Sequence, residues 1–278
     1  MELSEQAMAE VVATALREDV GDGDRTTDAL VPAEARCRAR LLLEEPGVVC
    51  GVPVAAAVFA ALDPGVDVVA LVPDGTVVPS APAAVAAISG PARAVLTGER
   101  SALNLVGRLS GIATLTRRYV DAVAGTGATI LDTRKTTPGL RALEKYAVRV
   151  GGATNHRLGL HDAILVKENH LRIAGGIAAA AAALAGRADG IPVEMEAESM
   201  AQVEEALAAG VERILVDNMA PADVARAVAL VGGRARLEAS GGITLDNVRA
   251  YAEAGVDFVS IGALTHSARS LHVSLEVE

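Results

Sequence analysis

The chain has 278 residues, 51% of them hydrophobic and 22% charged, and a net charge of −10. This length and apolar content can bury a full core, which excludes disordered and fibrous proteins. The negative charge and the 2% aromatic content argue against nucleic acid or a membrane as partner. The N-terminal segment lacks the basic region of a secretory signal, and Cys37 and Cys50 lack metal or disulfide spacing, so we expect a cytoplasmic protein.

The N-terminal part of the chain predicts a mixture of helices and strands. We expect a helix over residues 4–17, a glycine- and aspartate-rich break from Glu18, and a helix over residues 54–62. ARCRARLLLEE and GVVCGVPV predict strands, and DVVALVPDGTVV predicts a hairpin that turns at Asp74 and Gly75. This part is therefore predicted to be an α+β module.

From Thr97 onward the pattern changes to a long amphipathic helix, loosened at Ser110 and Gly111, and then to a repetitive α/β region. Helical patterns such as residues 200–209 and 246–254 separate short apolar runs that end in polar residues. The six runs are ATILDTRK, DAILVKEN, IPVEMEAES, RILVDNM, ARLEASGG and DFVSIGA. Such a series predicts a parallel sheet closed, or nearly closed, into a β/α barrel whose chemistry lies where the strands end.

The predicted fold class is α/β, with a discontinuous N-terminal domain. Residues 1–109 form this domain, residues 110–266 form the barrel that carries the active site, and the alternating segment 267–278 returns to add a strand to the N-terminal domain. The alanine-rich run that starts at Ile177 and ends at Arg187 is too short to span a membrane and predicts a helix.

Several cations lie near the predicted strand ends between Ile130 and Leu171, although the chain as a whole is negative. They are Arg134, Lys135, His156, Arg157 and Lys167. Each one alone is more simply explained as a surface charge or ion pair. Together they predict a small ligand with several anionic groups, because like charges repel more strongly as water is excluded.

Carboxylates follow two of the later strands, at Glu196 and Asp217. These hard oxygen donors predict either a Mg²⁺ ion carried by a polyphosphate or stabilisation of positive charge developing on a sugar. His156, His161 and His170 show no zinc spacing, so we expect no structural zinc site.

Two glycine-containing loops follow the last two strands and predict a phosphate site. One comprises Ser240, Gly241 and Gly242, and the other comprises Ile261, Gly262 and Ala263. Barrels often bind phosphate through their last two loops, where glycine lets the backbone approach closely. Ordinary turn chemistry would explain either loop alone.

Ten ordered blocks of the sequence resemble the quinolinate phosphoribosyltransferases, the carboxylating nicotinate-nucleotide pyrophosphorylases of NAD biosynthesis. The blocks are EDVGDGDRTT, GERSALN, LSGIAT, DTRKTTPGLR, GGATNHRLGL, ILVKENH, VEMEAES, LVDN, LEASGGI and IGALTHS. The resemblance extends over nearly the whole chain and departs from the family at no position that the family uses for catalysis.

The resemblance implies a type II phosphoribosyltransferase fold, with an N-terminal α/β sandwich and an open or incomplete β/α barrel. It also implies a homodimer, or a hexamer built as a trimer of dimers, in which Arg100 reaches the partner's active site. The substrates are quinolinate and phosphoribosyl pyrophosphate, with Mg²⁺ bound to the latter and no organic cofactor. The products are nicotinate mononucleotide, pyrophosphate and CO₂.

The resemblance also assigns roles to residues. Arg134, His156, Arg157 and Lys167 hold quinolinate, Lys135 binds the pyrophosphate side, and the two glycine loops take the 5-phosphate. Glu196 and Asp217 lie by the ribose and its Mg²⁺. The catalytic set is Lys135, Lys167, Glu196 and Asp217, and the substrate-binding set adds Arg100, Thr133, Arg134, His156 and Arg157.

Three alternatives remain open on the sequence. The chain could be a related phosphoribosyltransferase that acts on a different acidic ring, or a paralogue associated with molybdenum uptake that acts on an unnamed substrate. It could instead be a catalytically silent sensor of quinolinate or phosphoribosyl pyrophosphate, which the presence of Glu196 and Asp217 disfavours. A barrel lyase or synthase that uses Lys135 or Lys167 covalently is a weaker option, because neither substrate offers a carbonyl for a Schiff base.

Overall fold

The computed structural model describes residues 3–186 and 190–278. The chain divides into two compact units, of which the first comprises residues 1–117, 136–152 and 264–278 and the second residues 118–135 and 153–263. The first two residues of the predicted N-terminal domain, and the predicted helix end at Arg187, lie outside the described residues.

The first unit begins with two helices, each capped at its N-terminus by a polar side chain. Helix α1 spans Glu5–Val20, and its N-cap Ser4 accepts a hydrogen bond from a backbone N–H. The predicted break after it contains a second helix, α2, over Arg25–Leu30. The break was predicted because Gly and Asp are frequent there, but the carboxylate of Asp24 caps the helix by accepting from the Thr27 N–H at 2.9 Å.

A four-stranded antiparallel sheet forms the centre of the first unit. Its strands are β1 (Arg36–Leu43), β3 (Asp67–Ala70), β5 (Ala83–Pro91) and β12 (Val273–Val277), in the order β12-β1-β5-β3. Two short strands, β2 (Gly47–Val48) and β4 (Val77–Val78), pair separately. The C-terminal strand thus pairs with β1, as its alternating sequence predicts.

The predicted hairpin at Asp74 and Gly75 is wrong, because β3 pairs with β5 while β4 pairs with β2. The carboxylate of Asp74 accepts from the backbone N–H groups of Gly51 at 2.7 Å and Val52 at 3.3 Å. These groups begin helix α3 (Val52–Leu62), so the turn serves a helix start rather than a strand pair.

The predicted long helix is α4, which runs without a break over Ala92–Ala122. The predicted loosening at Ser110 and Gly111 does not occur. Ser110 is fully buried and its hydroxyl donates to the Cys50 carbonyl and accepts from the Cys50 N–H, both at 3.0 Å. A Cβ at Gly111 would lie 1.9 Å from the carbonyl oxygen of Arg269, so glycine permits close packing here. Helix α5 (Arg141–Val150) completes the helices of this part.

The second unit contains the six predicted strands in one parallel sheet. They are β6 (Thr129–Leu131), β7 (Ile164–Val166), β8 (Val193–Ala197), β9 (Arg213–Asp217), β10 (Arg236–Ser240) and β11 (Phe258–Ser260), in the order β6-β11-β10-β9-β8-β7. Neither edge strand pairs with the other among the described residues, although Thr154 bridges to Leu131 beside β6. The barrel is therefore open, as predicted.

Helices separate these strands. They are α6 (Glu168–Ala174), α7 (Ile177–Leu184), α8 (Met200–Ala208), α9 (Pro221–Val231), α10 (Val248–Glu253) and the short α11 (Ala263–His266). Along β8 and β10, buried apolar side chains such as Met195 and Leu237 alternate with charged ones. The sheet therefore has one apolar and one polar face.

Across the described residues, no helix combines the length and the hydropathy that a membrane crossing requires.

Candidate active site

On the polar face of the parallel sheet, side chains from neighbouring strands lie next to each other as register partners. Asp217 of β9 and Ser240 of β10 are register partners at the carboxyl ends of their strands. One step deeper, Glu196 of β8 pairs with Leu215, and Glu238 pairs with Phe258 of β11. Because the strands are parallel, the polar groups that follow them collect at one edge of the sheet.

Two arginines of the predicted cation group interact electrostatically. Arg134 follows β6, and Arg157 lies in the loop before β7, where its Nη1 donates to the Ala163 carbonyl at 2.9 Å. Burial, and then the positive charge of Arg134, lower the pKa of Arg157 below its usual value. An anion between the two guanidinium groups would relieve this repulsion.

The loop that carries Arg157 is held by hydrogen bonds at both ends. The buried carboxylate of Asp132 accepts from the His156 N–H at 2.8 Å and from the Asn155 side chain at 2.6 Å. Asp162 accepts from the backbone N–H groups of Leu158 at 2.6 Å and Gly159 at 2.9 Å. The backbone around Arg157 is therefore fixed by Asp132, which directly follows β6, and from within the loop.

Lys167 follows β7 and lies beside the carboxylates of β8. Its Nζ is 3.7 Å from Glu196 Oε2, and about half of the lysine side chain is exposed. The other oxygen of Glu196 accepts from the N–H of Glu168 at 3.2 Å, at the start of α6. Lys135 is exposed in the loop after β6, where its N–H donates to Thr133 Oγ1 at 3.0 Å.

A cluster of three carboxylates near the strand ends could hold a divalent cation. Glu196, Glu198 and Asp217 each offer an oxygen, and these oxygens lie within 4.8 Å of one another. Partial desolvation and the surrounding carboxylates raise the pKa of Glu198 above its usual value. A cleft of about 440 Å³ adjoins Glu196 and Glu198 and extends to Arg172. Hard oxygen donors at this spacing suit Mg²⁺.

The first glycine loop lies directly against the end of β9. A Cβ on Gly241, whose φ is +89°, would lie 2.8 Å from the backbone nitrogen of Asn218. Asn218 itself has a φ of +55°, and its N–H donates to the Ser240 carbonyl at 2.9 Å. Asn247 closes the loop by donating to the Gly242 carbonyl at 3.1 Å. Only glycine at position 241 permits this close approach.

The second glycine-containing loop starts from the sheet. Ile261 is buried and its N–H donates to the Leu131 carbonyl at 3.0 Å, so this N–H extends the strand pairing. Gly262 and Ala263 follow it and lead into α11. The two predicted phosphate loops thus follow neighbouring strands, β10 and β11.

A buried charge network lies deeper on the polar face. Arg213 donates through Nε to Glu194 at 2.9 Å and through Nη2 to Glu238. His156 Nε2 lies 3.0 Å from Glu194 and 3.6 Å from Glu238. Burial and the nearby Glu194 carboxylate raise the pKa of Glu238. Burial would also raise the pKa of Glu194, but the hydrogen bond from His156 and the charge of Arg213 lower it.

Comparison with known proteins decides the family. The quinolinate phosphoribosyl transferase C-terminal domain model matches residues 112–276, and the N-terminal domain model of that family matches residues 24–110. The chain belongs to the quinolinate phosphoribosyltransferase family. It is 46% identical over 266 residues to a probable nicotinate-nucleotide pyrophosphorylase (carboxylating) from Synechocystis sp., covering 94% of this chain and 90% of that relative.

Two further comparisons cover almost the whole length. The chain is 45% identical over 278 residues to the nicotinate-nucleotide pyrophosphorylase (carboxylating) of Mycobacterium leprae, covering 98% of this chain and 97% of the relative. The solved structure of the nicotinate-nucleotide pyrophosphorylase from Francisella tularensis superposes with a TM-score of 0.95 at 36% identity, covering 100% and 98% of the two chains. The predicted family and fold class are confirmed.

Within this quinolinate phosphoribosyltransferase, one predicted site residue belongs to the other unit. Arg100 is exposed on α4 of the first unit, beside Thr97, whose hydroxyl donates to Asp24 at 3.2 Å. All other predicted site residues lie in the second unit. The proposed contribution of Arg100 to a partner's active site stays a prediction.

Several polar residues of the site were not predicted from the sequence. They are Asp132, Asn155, Glu198, Arg213 and Glu238. One signal was available, since VEMEAES and ARLEASGG place charged residues at every second position of predicted strands. Such alternation indicates a strand with one polar face.

Proposed function

We propose that this chain transfers the phosphoribosyl group of phosphoribosyl pyrophosphate to quinolinate with loss of CO₂, giving nicotinate mononucleotide and pyrophosphate. Its relatives carry the name of this activity. The observation that supports the proposal most strongly is the convergence of cations and carboxylates at the strand ends of the second unit. Such a site matches two polyanionic substrates and a cationic transition state.

Quinolinate carries two carboxylates, which we assign to the cation group. Arg134, Arg157 and Lys167 hold them, and Thr133 lies next to Arg134. His156, which the sequence assigned to the same group, instead orients the loop that carries Arg157, because both of its ring nitrogens already bond protein groups. Burial, and then the positive charge of Arg134, lower the pKa of Arg157, which supports the assignment of quinolinate to the arginines because an anion bound between the two guanidinium groups removes their repulsion. Arg presents a planar fork that suits a carboxylate.

Phosphoribosyl pyrophosphate binds along the sheet edge in this proposal. Lys135, exposed in the loop after β6, takes the pyrophosphate side. The loops Ser240–Gly242 and Ile261–Ala263 take the 5-phosphate. Glu196 and Asp217 face the ribose and would hold its Mg²⁺, for which the oxygens within 4.8 Å of one another provide suitable ligands. The Mg²⁺ that accompanies this substrate neutralises charge on the leaving pyrophosphate.

The chain's residues then act by charge and position. As the bond from ribose C1 to the pyrophosphate oxygen breaks, the bonding electrons leave with pyrophosphate. The carboxylates of Glu196 and Asp217 stabilise the positive charge left on the sugar. The pyridine nitrogen, oriented by the arginines, supplies the electron pair for the new bond to C1. The ring cation then accepts the electron pair released when the adjacent carboxylate leaves as CO₂, and a proton replaces it.

Lys135 and Lys167 complete the proposed catalytic set as protonated cations. Neither substrate contains an aldehyde or ketone, and bound anions keep a lysine protonated. No organic cofactor takes part in this scheme. The proposed location of the enzyme is the cytoplasm.

The proposed assembly is a homodimer or a trimer of dimers, in which Arg100 completes the site of the partner subunit. Arg100→Ala and Lys135→Ala would each inactivate a homodimer. Mixing the two variants under exchange of subunits should restore partial activity, because some mixed dimers hold one intact site. Absence of recovery, in mixtures where mass spectrometry detects mixed dimers, would contradict the shared site.

The direct test of the proposed function is to incubate the protein with quinolinate, phosphoribosyl pyrophosphate and Mg²⁺. We expect nicotinate mononucleotide and CO₂ in equal amounts, and no product when nicotinate replaces quinolinate. Product from nicotinate alone would identify the rival activity on another acidic ring. Binding of both substrates without turnover would identify a sensor.

A further inference from the structure

We infer that Arg213 and Glu238 are positioning residues for the anion-binding loop that carries His156 and Arg157. This inference rests on the proposed function, since it concerns the site assigned to quinolinate. Neither residue belongs to the predicted binding or catalytic sets. Both lie deeper on the polar face of the sheet than the strand-end residues, so they act through His156 rather than on the substrate.

Three neighbours fix the orientation of Arg213. Its guanidinium donates to Glu194 Oε1 at 2.9 Å and to Glu238. The same group lies over the ring of Phe258, 4.3 Å from the centroid. Glu194 and Glu238 are almost fully buried, and they repel each other unless a cation lies between them. Arginine can bridge two carboxylates with its planar fork, which a lysine ammonium cannot match.

The two carboxylates in turn fix the imidazole of His156. A backbone N–H can only donate, and the Arg157 N–H lies 2.7 Å from His156 Nδ1. Nδ1 is therefore the acceptor, and the ring proton lies on Nε2, which donates to Glu194 Oε2 at 3.0 Å. Both ring nitrogens thus serve to orient the loop.

Glu238 is the second carboxylate next to the imidazole of His156. Its Oε1 is buried without a hydrogen-bond partner among the described residues, and it lies 3.6 Å from His156 Nε2. The imidazole is therefore held between two carboxylates that share one arginine. Loss of Arg213 would leave both carboxylates without their cation, and the ring of His156 would move with them. The Arg157 backbone, bonded to the other side of that ring, would follow.

The chain offers a matched control for this arrangement. Arg236 is the register partner of Arg213 on the neighbouring strand, but its side chain is 69% exposed and pairs with Asp257. Arg213→Lys and Arg236→Lys therefore make the same chemical change in the same row of the sheet. Only the first removes the planar fork that bridges the two carboxylates next to His156.

We expect Arg213→Lys to raise the KM for quinolinate on the order of tenfold to a hundredfold, with the KM for phosphoribosyl pyrophosphate within about threefold. Arg236→Lys should leave both values unchanged. In ¹⁵N spectra of the imidazole, His156 should carry its proton on Nε2 in the unsubstituted protein and in Arg236→Lys. Arg213→Lys should give a mixture of tautomers.

If Arg213→Lys does not fold, Glu238→Gln provides a second test, because it keeps the side-chain size and replaces one of the two carboxyl groups that Arg213 bridges. Unchanged KM for quinolinate in a folded variant would overturn the inference, as would a His156 proton on Nδ1 in the unsubstituted protein. If that protein does not convert quinolinate at all, the proposed function fails. The ¹⁵N spectra would still decide whether Arg213 orients His156.

Discussion

Substitution of Gly241 tests how closely the first glycine loop must approach strand β9. In Gly241→Ala, the new Cβ would lie 2.8 Å from the backbone nitrogen of Asn218 and 2.3 Å from its side-chain oxygen. The side chain can rotate away, but the backbone nitrogen is held by its hydrogen bond to Ser240. The substitution must therefore displace either the loop or the end of the strand.

The size of the effect follows from two contributions. A non-glycine residue in the left-handed region costs about 1 to 2 kcal/mol, and overpacking against fixed atoms costs about 1 to 3 kcal/mol more. We therefore expect Gly241→Ala to lower the free energy of unfolding by about 2 to 5 kcal/mol. Gly242→Ala is the control, because Gly242 has a φ of +62° with no atom near the added Cβ, so only the first contribution, about 1 to 2 kcal/mol, applies.

Urea titration of the unsubstituted protein and both variants measures these free energies. Asn218 also donates to the carboxylate of Asp217, so Gly241→Ala should additionally raise the KM for phosphoribosyl pyrophosphate more than Gly242→Ala does. Equal free energies of unfolding for the two variants would refute the argument from close approach. A higher KM in Gly242→Ala alone would refute the link to Asp217.

Three other predictions concern charge. A hydrogen bond from Arg269 lowers the pKa of Glu45 to about 2 from 4.5. The ionised Glu45 therefore stabilises the folded protein fully above pH 4.5, and this stabilisation is lost as the pH falls towards 2. An acid titration of Glu45→Gln should lack this contribution. Glu144→Ala removes the buried partner of Arg108, 2.7 Å away, and should lower the free energy of unfolding by about 3 to 5 kcal/mol in urea. Arg157→Ala should weaken quinolinate binding by about 1.5 to 3 kcal/mol in calorimetry.

An exposed ion pair provides the control for Glu144→Ala. Asp223 pairs with Arg226 at the surface, and Asp223→Ala should change stability by less than about 1 kcal/mol. An effect of Glu144→Ala no larger than this would contradict the role of the buried pair.

Identical acid titrations of Glu45→Gln and the unsubstituted protein would contradict the lowered pKa of Glu45. An unchanged affinity of Arg157→Ala for quinolinate would show that Arg157 does not bind this substrate.

The sequence predicts the strands of the second unit well because each apolar run ends abruptly in polar residues. The predicted β/α barrel places consecutive strands side by side, but it does not give their register, and that register is what brings Glu194, Arg213 and Glu238 together. In the sequence these residues are 19 and 25 positions apart, and each looks like the charged flank of a strand. Their network depends on register across β8, β9 and β10, which no local pattern encodes.

The errors in the first unit have local causes. Asp74 and Gly75 form a typical turn sequence, and the hairpin prediction used only that pattern. The capping of α3 by Asp74 depends on backbone groups more than twenty positions away. The helix α2 could have been predicted, because Asp24 precedes Thr27 at the spacing of an N-cap. The frequent glycines of that segment concealed it.

The pairing of β12 with β1 affects how the protein is made. During translation the ribosome releases residues 36–43 early, but their partner at 273–277 emerges only after the whole parallel sheet has been synthesised. One edge of the antiparallel sheet must therefore remain unpaired until the strands of the second unit have been synthesised. Nascent chains stalled before β12 should expose β1 to chaperones, and release of the final strand should be the step that completes the first unit.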